Sequence, residues 1–336
     1  MIRIHVIGLY ASDFSGGETR LGDAQIIDDG KNYEVIDGGC GKCTTRLINA
    51  LKTRGIKTPY LYITHPHYDH RYGIRQIIKD TYFAPKALYC QNPATLTAHN
   101  SDVKGDIDAL KTIINEAKAR KIPVIYLNNG DKVTHGEIKF TVYRDNPKWT
   151  GNSDAYLNDG SLSYWFPELS YLTTGDAGMQ CANQHGLNPK FVKGGHHGND
   201  MSGEGLKPSQ MAKWLKDRGC LYYWDNDYSA RMTGFLQTGR ESAKNAGMRI
   251  FDIHGDINVI YYKKKAVIYK HGQIYRYECG YDGAPALINP DLENVKMVLS
   301  GKAGSDDART TYLLNHRMNP GLIQKEVNEL YKLIKG

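Results

Sequence analysis

The stretch that decides the fold is Tyr62-Ile-Thr-His65-Pro-His67-Tyr-Asp69-His70-Arg71. Its first residues continue a mostly apolar run of β-prone side chains that begins at Leu61, which predicts a buried strand. Pro66 helps to end that strand because proline has no N–H to donate to a sheet ladder. Three histidines and one aspartate therefore lie within six residues at the exit of a strand.

These four polar side chains have the chemistry and the spacing of metal ligands. In extended backbone, His65 and His67 point to the same side of the chain, while Asp69 and His70 follow on the turn and reach a second point. Imidazole nitrogens and carboxylate oxygens bind zinc, and a mixed set with open positions is typical of catalytic zinc. The alternative is a polar loop that is merely rich in histidine. It is the weaker interpretation because this spacing rarely occurs without a metal.

Further motifs occur before and after the histidine stretch. They are Gly22-Asp23-Ala24-Gln25-Ile26-Ile27, Val35-Ile36-Asp37-Gly38-Gly39, Tyr171-Leu172-Thr173-Thr174-Gly175-Asp176-Ala177 and Phe191-Val192-Lys193-Gly194-Gly195-His196-His197-Gly198. Together with the His-x-His-x-Asp-His pattern, they resemble the successive motifs of the metallo-β-lactamase superfamily across roughly residues 1 to 270. The resemblance implies an α/β fold, the αββα sandwich, with two divalent metal ions, usually Zn²⁺. Two such ions, ~3.5 to 4 Å apart, can clamp the attacking and leaving oxygens of a phosphodiester.

The resemblance also implies roles for individual residues. The expected metal ligands are His65, His67, Asp69, His70, Asp176 and His197. Asp176 is expected to bridge both ions, and Asp37 to support the metal loop. His196 and His197 end another strand-like run, so one should complete the second ion's ligands and the other should face the substrate. We assign His197 as the ligand and Asp69 and His196 as catalytic residues, and the choice between the two neighbouring histidines stays open. His196 would stabilise developing negative charge or protonate the leaving alkoxide.

One feature of the superfamily is missing. Classical members carry another histidine ligand between the motif loop and Asp176, whereas residues 142–164 contain no histidine. His99 and His135 lie in the interval, but their polar or turn contexts indicate surface residues. One metal ion should therefore have a more open set of ligands, and β-lactam hydrolysis is not expected.

Two subgroups of the superfamily are similar to this chain. The hydrolase domain of bacterial competence DNA-uptake channels is similar in Leu21-Gly-Asp-Ala24, in Lys193 to Gly198 and in Phe251-Asp-Ile-His-Gly-Asp-Ile-Asn-Val259. The teichoic-acid phosphorylcholine esterase is the second, and both imply phosphodiester chemistry. Tyr156, Trp224 and Tyr228 could line the cleft and contact choline by cation–π attraction, although ordinary packing is the better explanation for each.

Length and charge limit the function classes. The chain has 336 residues, a formal net charge of +7 and a mean hydropathy of −0.53. The positive charge favours polyanionic partners such as teichoic acid or nucleic acid. No run approaches the ~20 apolar residues that span a bilayer. The first residues predict a strand rather than a secretory signal, so we expect synthesis in the cytoplasm. The single Cys-x-x-Cys, Cys40 to Cys43, is interpreted as ordinary thiols near a helix start.

The C-terminal part has a different pattern. After a hydrolase domain at residues 1–280, a turn- and proline-rich linker is predicted at 281–291, followed by three short helices in 292–336. Residues 298–309 and 323–330 resemble the small cell-wall-binding repeat of phage lysozymes, which implies peptidoglycan or teichoic acid as a partner. The alternative is a helical appendage used for dimerisation. Because no export signal is evident, release to the wall by phage-type lysis is expected.

These observations lead to three hypotheses. The leading one is a dinuclear-zinc phosphodiesterase that acts on a bacterial cell-wall polymer, similar to the phosphorylcholine esterase. The second is a nuclease similar to the competence-channel domain, which the basic charge favours. The third is a wall-binding protein with a degenerate hydrolase domain, against which the full set of motifs argues.

Overall fold

The structure, a computed structural model, describes residues 1–9, 22–177, 186–198, 208–225, 238–252, 255–270 and 273–283. Within these ranges, two β-sheets face each other and helices cover their outer surfaces. The predicted linker beyond residue 283 and the helical module at 292–336 lie outside the described residues, so they stay predictions.

The first sheet contains nine strands of the described chain: β1 (Ile2–Val6), β2 (Ala24–Asp28), β3 (Tyr33–Gly38), β4 (Tyr60–Tyr62), β5 (Ala87–Cys90), β6 (Val124–Tyr126), β14 (Ile257–Tyr262), β15 (Lys265–Lys270) and β16 (Gln273–Glu278). Their order is β16-β15-β14-β1-β2-β3-β4-β5-β6. Pairing is antiparallel from β16 to β3 and parallel from β3 to β6. The first strand therefore lies inside the sheet, where Ile4 pairs with Val259 of β14.

The second sheet contains seven strands in the described ranges: β7 (Lys132–His135), β8 (Ile138–Tyr143), β9 (Ser163–Phe166), β10 (Tyr171–Thr173), β11 (Phe191–Lys193), β12 (Tyr222–Asp225) and β13 (Arg249–Asp252). Their order is β13-β12-β11-β10-β9-β8-β7, with β10 to β13 parallel. Parallel strands end at the same edge of a sheet, so the segments that follow β10 and β11 lie close together.

Helices cover the outer faces of both sheets: α1 (Gly41–Thr53), α2 (Tyr68–Lys79), α3 (Ser101–Ala119), α4 (Ser153–Asp159), α5 (Pro208–Asp217) and α6 (Thr238–Asn245). The amphipathic α1 buries Leu47 and Leu51, as its apolar spacing predicts. A glycine pair allows α2 to lie directly against the end of β3. A Cβ added to Gly73 would lie 2.0 Å from the carbonyl oxygen of Gly38, so a side chain there would push the helix away.

Aromatic side chains fill the space between the two sheets. Tyr62 of β4 meets Phe140 and Tyr164 of the second sheet edge-on, with ring centroids 5.7 and 5.6 Å apart. The hydroxyl of Tyr171 donates a 2.6 Å hydrogen bond to the Oε1 atom of Gln25, which pairs these two buried polar groups across the sheets. Burying one large apolar side chain contributes roughly 1.5 to 3 kcal/mol. This packing fixes the two sheets, and with them the strand ends that carry the site.

The predicted αββα sandwich is confirmed. Asp29 and Gly30 form the turn that joins β2 to β3, and the Oδ1 atom of Asp29 accepts hydrogen bonds from the backbone N–H groups of Lys31 and Asn32. The basic run at 263–265 is an exposed hairpin end, as its composition indicates. No helix in the described ranges is long and apolar enough to cross a membrane.

The last described residues remain packed on the sandwich. Tyr281, at the start of the predicted linker, is buried, and its N–H donates a 2.8 Å hydrogen bond to the carbonyl of Glu168. Its hydroxyl donates to the carboxylate of Glu137. Lys263 N–H donates to the carbonyl of Gly283 at 3.1 Å, so contact with the domain continues through that residue.

Candidate metal centre

The predicted ligands come from the ends of strands in both sheets. His65 and His67 follow β4, Asp176 follows β10, and His197 lies in a short 3-10 turn after β11. The prediction that Asp69 and His70 lie on a turn is wrong, because both belong to the first turn of α2. His67 is the last extended residue (φ −61°, ψ 151°), so the helix begins immediately after it. A carboxylate in the first turn of a helix is favoured by the helix dipole.

One group of donor atoms contains His65, His67 and Asp176. His65 Nε2 lies 2.9 Å from His67 Nδ1 and 3.8 Å from the Oδ2 atom of Asp176. Both imidazoles therefore point to the same side, as their spacing predicts. Burial, and then the positive charge of nearby His70, lower the pKa of His65 well below its usual value. Neutral His65 is the form that binds a metal.

A second group of donor atoms contains Asp23, His70, Asp176 and His197. The Oδ1 atom of Asp176 lies 3.3 Å from His70 Nε2, and its Oδ2 atom lies 3.4 Å from His197 Nε2. His197 Nδ1 lies 3.7 Å from Asp23 Oδ1. Because Asp176 belongs to both groups, its carboxylate is the one that could bridge two ions, the role the resemblance implies.

Asp69 and His196 belong to neither donor group among the described residues. Asp69 is buried, and its Oδ2 atom lies 3.1 Å from His197 Nε2, so it contacts the second group through that histidine. His196 directly precedes His197 in the chain and has a left-handed backbone conformation (φ 38°). The geometry therefore favours His197 over His196 as the ligand, while the catalytic roles of Asp69 and His196 stay predictions.

Asp37 supports the site as expected. Its Oδ2 atom lies 2.8 Å from His70 Nδ1, which leaves Nε2 of that ring facing the donor group. The same carboxylate accepts hydrogen bonds from the N–H of Thr64 at 2.9 Å and from its hydroxyl at 2.7 Å. Thr64 precedes His65, so one carboxylate positions both halves of the centre. A second residue that orients a ligating imidazole in this way is common in metal sites.

Two members of the centre, Asp23 and Lys193, were not predicted as site residues. Lys193 Nζ lies 2.7 Å from Asp23 Oδ2 and 3.3 Å from Asp176 Oδ1, and all three side chains are buried. Burial alone would raise the pKa of Asp23, but Lys193 and His197 lower it to about 2. Both residues stand in the quoted motifs, yet a buried lysine is rare enough that sequence pattern alone favours an exposed one.

These donors fit divalent cations. Three buried carboxylates, those of Asp23, Asp69 and Asp176, lie together. Burial alone would lower the pKa of His70, but Asp176, Asp37 and Asp69 raise it well above its usual value, which shows how negative the site is. The buried Nε2 atom of His70 makes no well-aligned hydrogen bond within the described part of the chain, although Asp176 Oδ1 lies 3.3 Å away. A cation among these atoms would satisfy both features.

The two histidines between the motif loop and Asp176 have different surroundings. His99 is exposed, as predicted, and stacks on Trp149 with ring centroids 4.5 Å apart. The prediction of a surface position for His135 is wrong. It is partly buried between the sheets, 2.9 Å from the buried carboxylate of Glu34 and stacked on Tyr60. Neither belongs to a donor group of the described residues.

Two of the three aromatic candidates for a choline contact are packed inside the domain. Trp224 is fully buried, and its Nε1–H donates a 3.3 Å hydrogen bond to the hydroxyl of Tyr171. Tyr156 is 4% exposed and lines a core cluster with α3. Tyr228 lies outside the described residues. Packing, the preferred explanation, is therefore confirmed for Tyr156 and Trp224.

Neither a family model nor a curated protein matches this sequence. Several solved structures are similar in fold. The metallo-beta-lactamase fold protein YhfI from Bacillus subtilis is 12% identical, with a TM-score of 0.47 over 75% of this chain and 95% of its own. Igni18, a metallo hydrolase from Ignicoccus hospitalis, is 14% identical, with a TM-score of 0.45 over 77% and 99%. A diphosphatase from the PhnP family is 13% identical, with a TM-score of 0.44 over 78% and 98%. Because identities this low show similarity of fold alone, the kind of ion that the site could bind is inferred from its own donor atoms.

Proposed function

We propose that this chain is a metal-dependent phosphodiesterase that acts on a bacterial cell-wall polymer, such as the phosphorylcholine or backbone esters of teichoic acid. One observation carries the proposal. Two groups of histidine and aspartate donors, most of them buried, share Asp176 at the edge where strands of both sheets end. Such a pair of groups suits two divalent cations, which can stabilise both the attacking and the leaving oxygen when an alkoxide is displaced from phosphorus.

Most residues of the site would hold the metal ions, and His196 would donate a hydrogen bond to the substrate. His65, His67 and Asp176 would hold one cation, and His70, Asp176 and His197 the other, with Asp23 beside them. When bound, the cations supply positive charge that polarises phosphoryl oxygens and lowers the pKa of water to about 7. Burial lowers the pKa of His196 to about 4, so its ring is neutral near pH 7 and donates one hydrogen bond to developing charge.

The choice of polymer rests on sequence features outside the metal centre. The net charge of +7 favours a polyanion, which a teichoic acid is. The likeness of residues 298–309 and 323–330 to a cell-wall-binding repeat supports a substrate in the wall. The missing histidine in residues 142–164 separates the chain from classical β-lactam hydrolases and would leave one metal ion with a more open set of ligands.

The test is release of phosphorylcholine from choline-labelled cell walls. We expect release by the parent protein, none after the metal is removed with a chelator, and recovery when Zn²⁺ is added. His67→Ala should abolish release because it removes a donor from the first group. His99→Ala is the matched control, since that histidine is exposed and belongs to neither group. Full activity after metal removal would contradict the proposal.

The nuclease is the second candidate, because the same positive charge would attract nucleic acid. The two functions separate when single-stranded DNA and bis-p-nitrophenyl phosphate are compared with wall polymer as substrates. Digestion of DNA at rates far above those on the small ester, without release from walls, would decide for the nuclease. Metal analysis of the purified protein that finds no bound metal would instead support a wall-binding protein without hydrolase activity.

A further inference from the structure

A polar cavity of about 400 Å³ lies beside α4, outside the donor groups of the metal centre. Its walls include Thr95, Thr97, Asn128, Asn129, Arg144 and Tyr156. Hydroxyl and amide groups dominate this lining, and Arg144 is its one charged side chain. A cavity of this size is large enough for a small ligand, and its chemistry suits a hydroxylated anion.

Arg144 has no acidic partner in the described part of the chain. Its Nε donates a 3.1 Å hydrogen bond to the carbonyl of Gly160, and its Nη1 donates at 3.3 Å to the hydroxyl of Thr95. Both acceptors are neutral. Burial lowers the pKa of Arg144, but a guanidinium stays charged in proteins, so its charge lies in the cavity wall without a counter-ion. Arg144 is partly buried, so water screens only part of its charge, and a bound anion would provide the missing counter-charge.

The cavity is connected to the metal centre through shared hydrogen bonds. The carbonyl of Gly160 accepts from Arg144 and also from Gln91 Nε2 at 2.7 Å. Gln91 Nε2 also donates at 2.7 Å to the carbonyl of Thr64, the residue before His65. The two sites are therefore joined through Gln91 and the carbonyl of Gly160.

Helix α4 separates the two sites. Asp154, in its first turn, lies 3.8 Å from His67 Nε2, whereas Tyr156, two residues later, lines the cavity. A polymer that crosses this short helix would reach both the metal centre and Arg144.

We propose that the cavity binds a second phosphate of the polymer, with its adjoining polyol or sugar unit, while a neighbouring phosphodiester lies at the metal centre. The inference rests on the proposed function and makes the substrate a chain of repeating polyol phosphates rather than a single ester. Arg144 would pair with the phosphate, and the amides of Asn128 and Asn129 would bind the hydroxyls. Hydroxyl and amide groups outnumber the one aromatic side chain of the lining, that of Tyr156, which favours a polyol over a stacked nucleobase.

The test measures binding of a glycerol phosphate hexamer to the full chain by calorimetric titration. We expect saturable binding to the parent protein and a rise in Kd of roughly tenfold in Arg144→Gln, which keeps hydrogen-bond donors but removes the charge. Asn129→Asp is a second variant, because its carboxylate still accepts the 3.1 Å hydrogen bond from Arg144 N–H but repels phosphate. It should weaken binding by a similar factor. Lys132→Gln, exposed on β7, removes one charge elsewhere and should keep the parent Kd.

Failure of the cavity assignment can be distinguished from failure of the proposed phosphodiesterase function. Hydrolysis of bis-p-nitrophenyl phosphate by the parent protein tests the metal centre without the cavity. Equal binding of the hexamer by the parent, Arg144→Gln and Asn129→Asp would overturn the cavity assignment and leave that activity standing. Binding of an oligothymidylate that depends on Arg144, with no binding of the hexamer, would overturn the polyol phosphate assignment. Thermal unfolding of each variant shows that loss of binding is not loss of folding.

Discussion

Lys193 brings a fixed positive charge into the carboxylate-rich centre, between Asp23 and Asp176. Its ammonium also donates to the carbonyl of Gly175, so all its near neighbours are acceptors. Burial would lower its pKa, but Asp23 and Asp176 raise it above its usual value, and the side chain stays charged. Part of the negative charge is therefore balanced by the protein itself before any metal binds.

Removing this charge should destabilise the metal-free protein. We expect Lys193→Met to lower the free energy of unfolding by about 3 kcal/mol, because a broken buried ion pair leaves a carboxylate without its counter-charge. The measurement is urea unfolding in the presence of a chelator. Lys139→Met is the control, since Lys139 forms an exposed pair with Glu168 at 3.3 Å and should cost less than about 1 kcal/mol. Equal losses in the two variants would show that the buried pair is not stabilising.

Helix α4 ends at Asp159, whose carboxyl group is partly buried. Burial, together with the charge of Asp145, raises the pKa of Asp159 to about 7. The unfolded chain has the ordinary value of about 3.9, so the folded state binds this proton more tightly. The contribution of this bound proton to the free energy of unfolding is fully present below about pH 4 and is lost as the pH rises to about 7.

Asp159→Asn should remove this pH dependence. At about pH 8 we expect the variant to be more stable than the parent by about 1 kcal/mol, a value reduced because the side chain is partly exposed to solvent. At about pH 5 the difference should shrink, because the parent's carboxyl is then mostly protonated. Unfolding free energies of the two proteins at both pH values provide the measurement. A gain of the same size at both would mean that ionisation of Asp159 is not its cause.

The elements with a clear local signal were predictable from sequence. Strand 138–143 follows an alternating apolar pattern, and strand 257–262 is a mostly apolar run. The start of α2 was not predictable from sequence. Helical spacing of apolar residues is evident only from Gly73, whereas the helix begins at Tyr68. Its first turn consists of polar residues of the metal motif, whose side chains serve the site rather than the core and therefore break the apolar pattern.

Spacing alone predicted only the part of the candidate site that lies in the histidine stretch, whereas Asp176 and His197 were predicted from the resemblance to the metallo-β-lactamase superfamily. His65, His67 and His70 are close in sequence, so spacing alone suggests a shared site. Asp23 and Lys193 meet because β10 and β11 end beside β2, a contact that depends on the packing of two sheets. The position of His135 likewise depends on Glu34, which lies in the other sheet. Such partners are set by tertiary structure and leave no local pattern.

Ester hydrolysis by the described domain and wall binding by the predicted C-terminal module should be separable. A chain ending at Gly283 keeps the contacts of Tyr281 with Glu168 and Glu137, so we expect it to fold like the full chain. It should hydrolyse bis-p-nitrophenyl phosphate at the parent rate but no longer sediment with purified cell walls. Sedimentation of the short and full chains with equal affinity would contradict the proposed wall-binding role of residues 292–336.

The position of β1 has a consequence for synthesis of the protein. This strand lies between β2 and β14, and its pairing with residues 257–261 joins the two ends of the described domain. One side of β1 therefore has no sheet partner until the ribosome has translated most of the polypeptide. Pairing over such a sequence distance slows folding, so the nascent chain exposes an apolar strand for much of its elongation. A chaperone that shields β1 during translation should raise the yield of native protein.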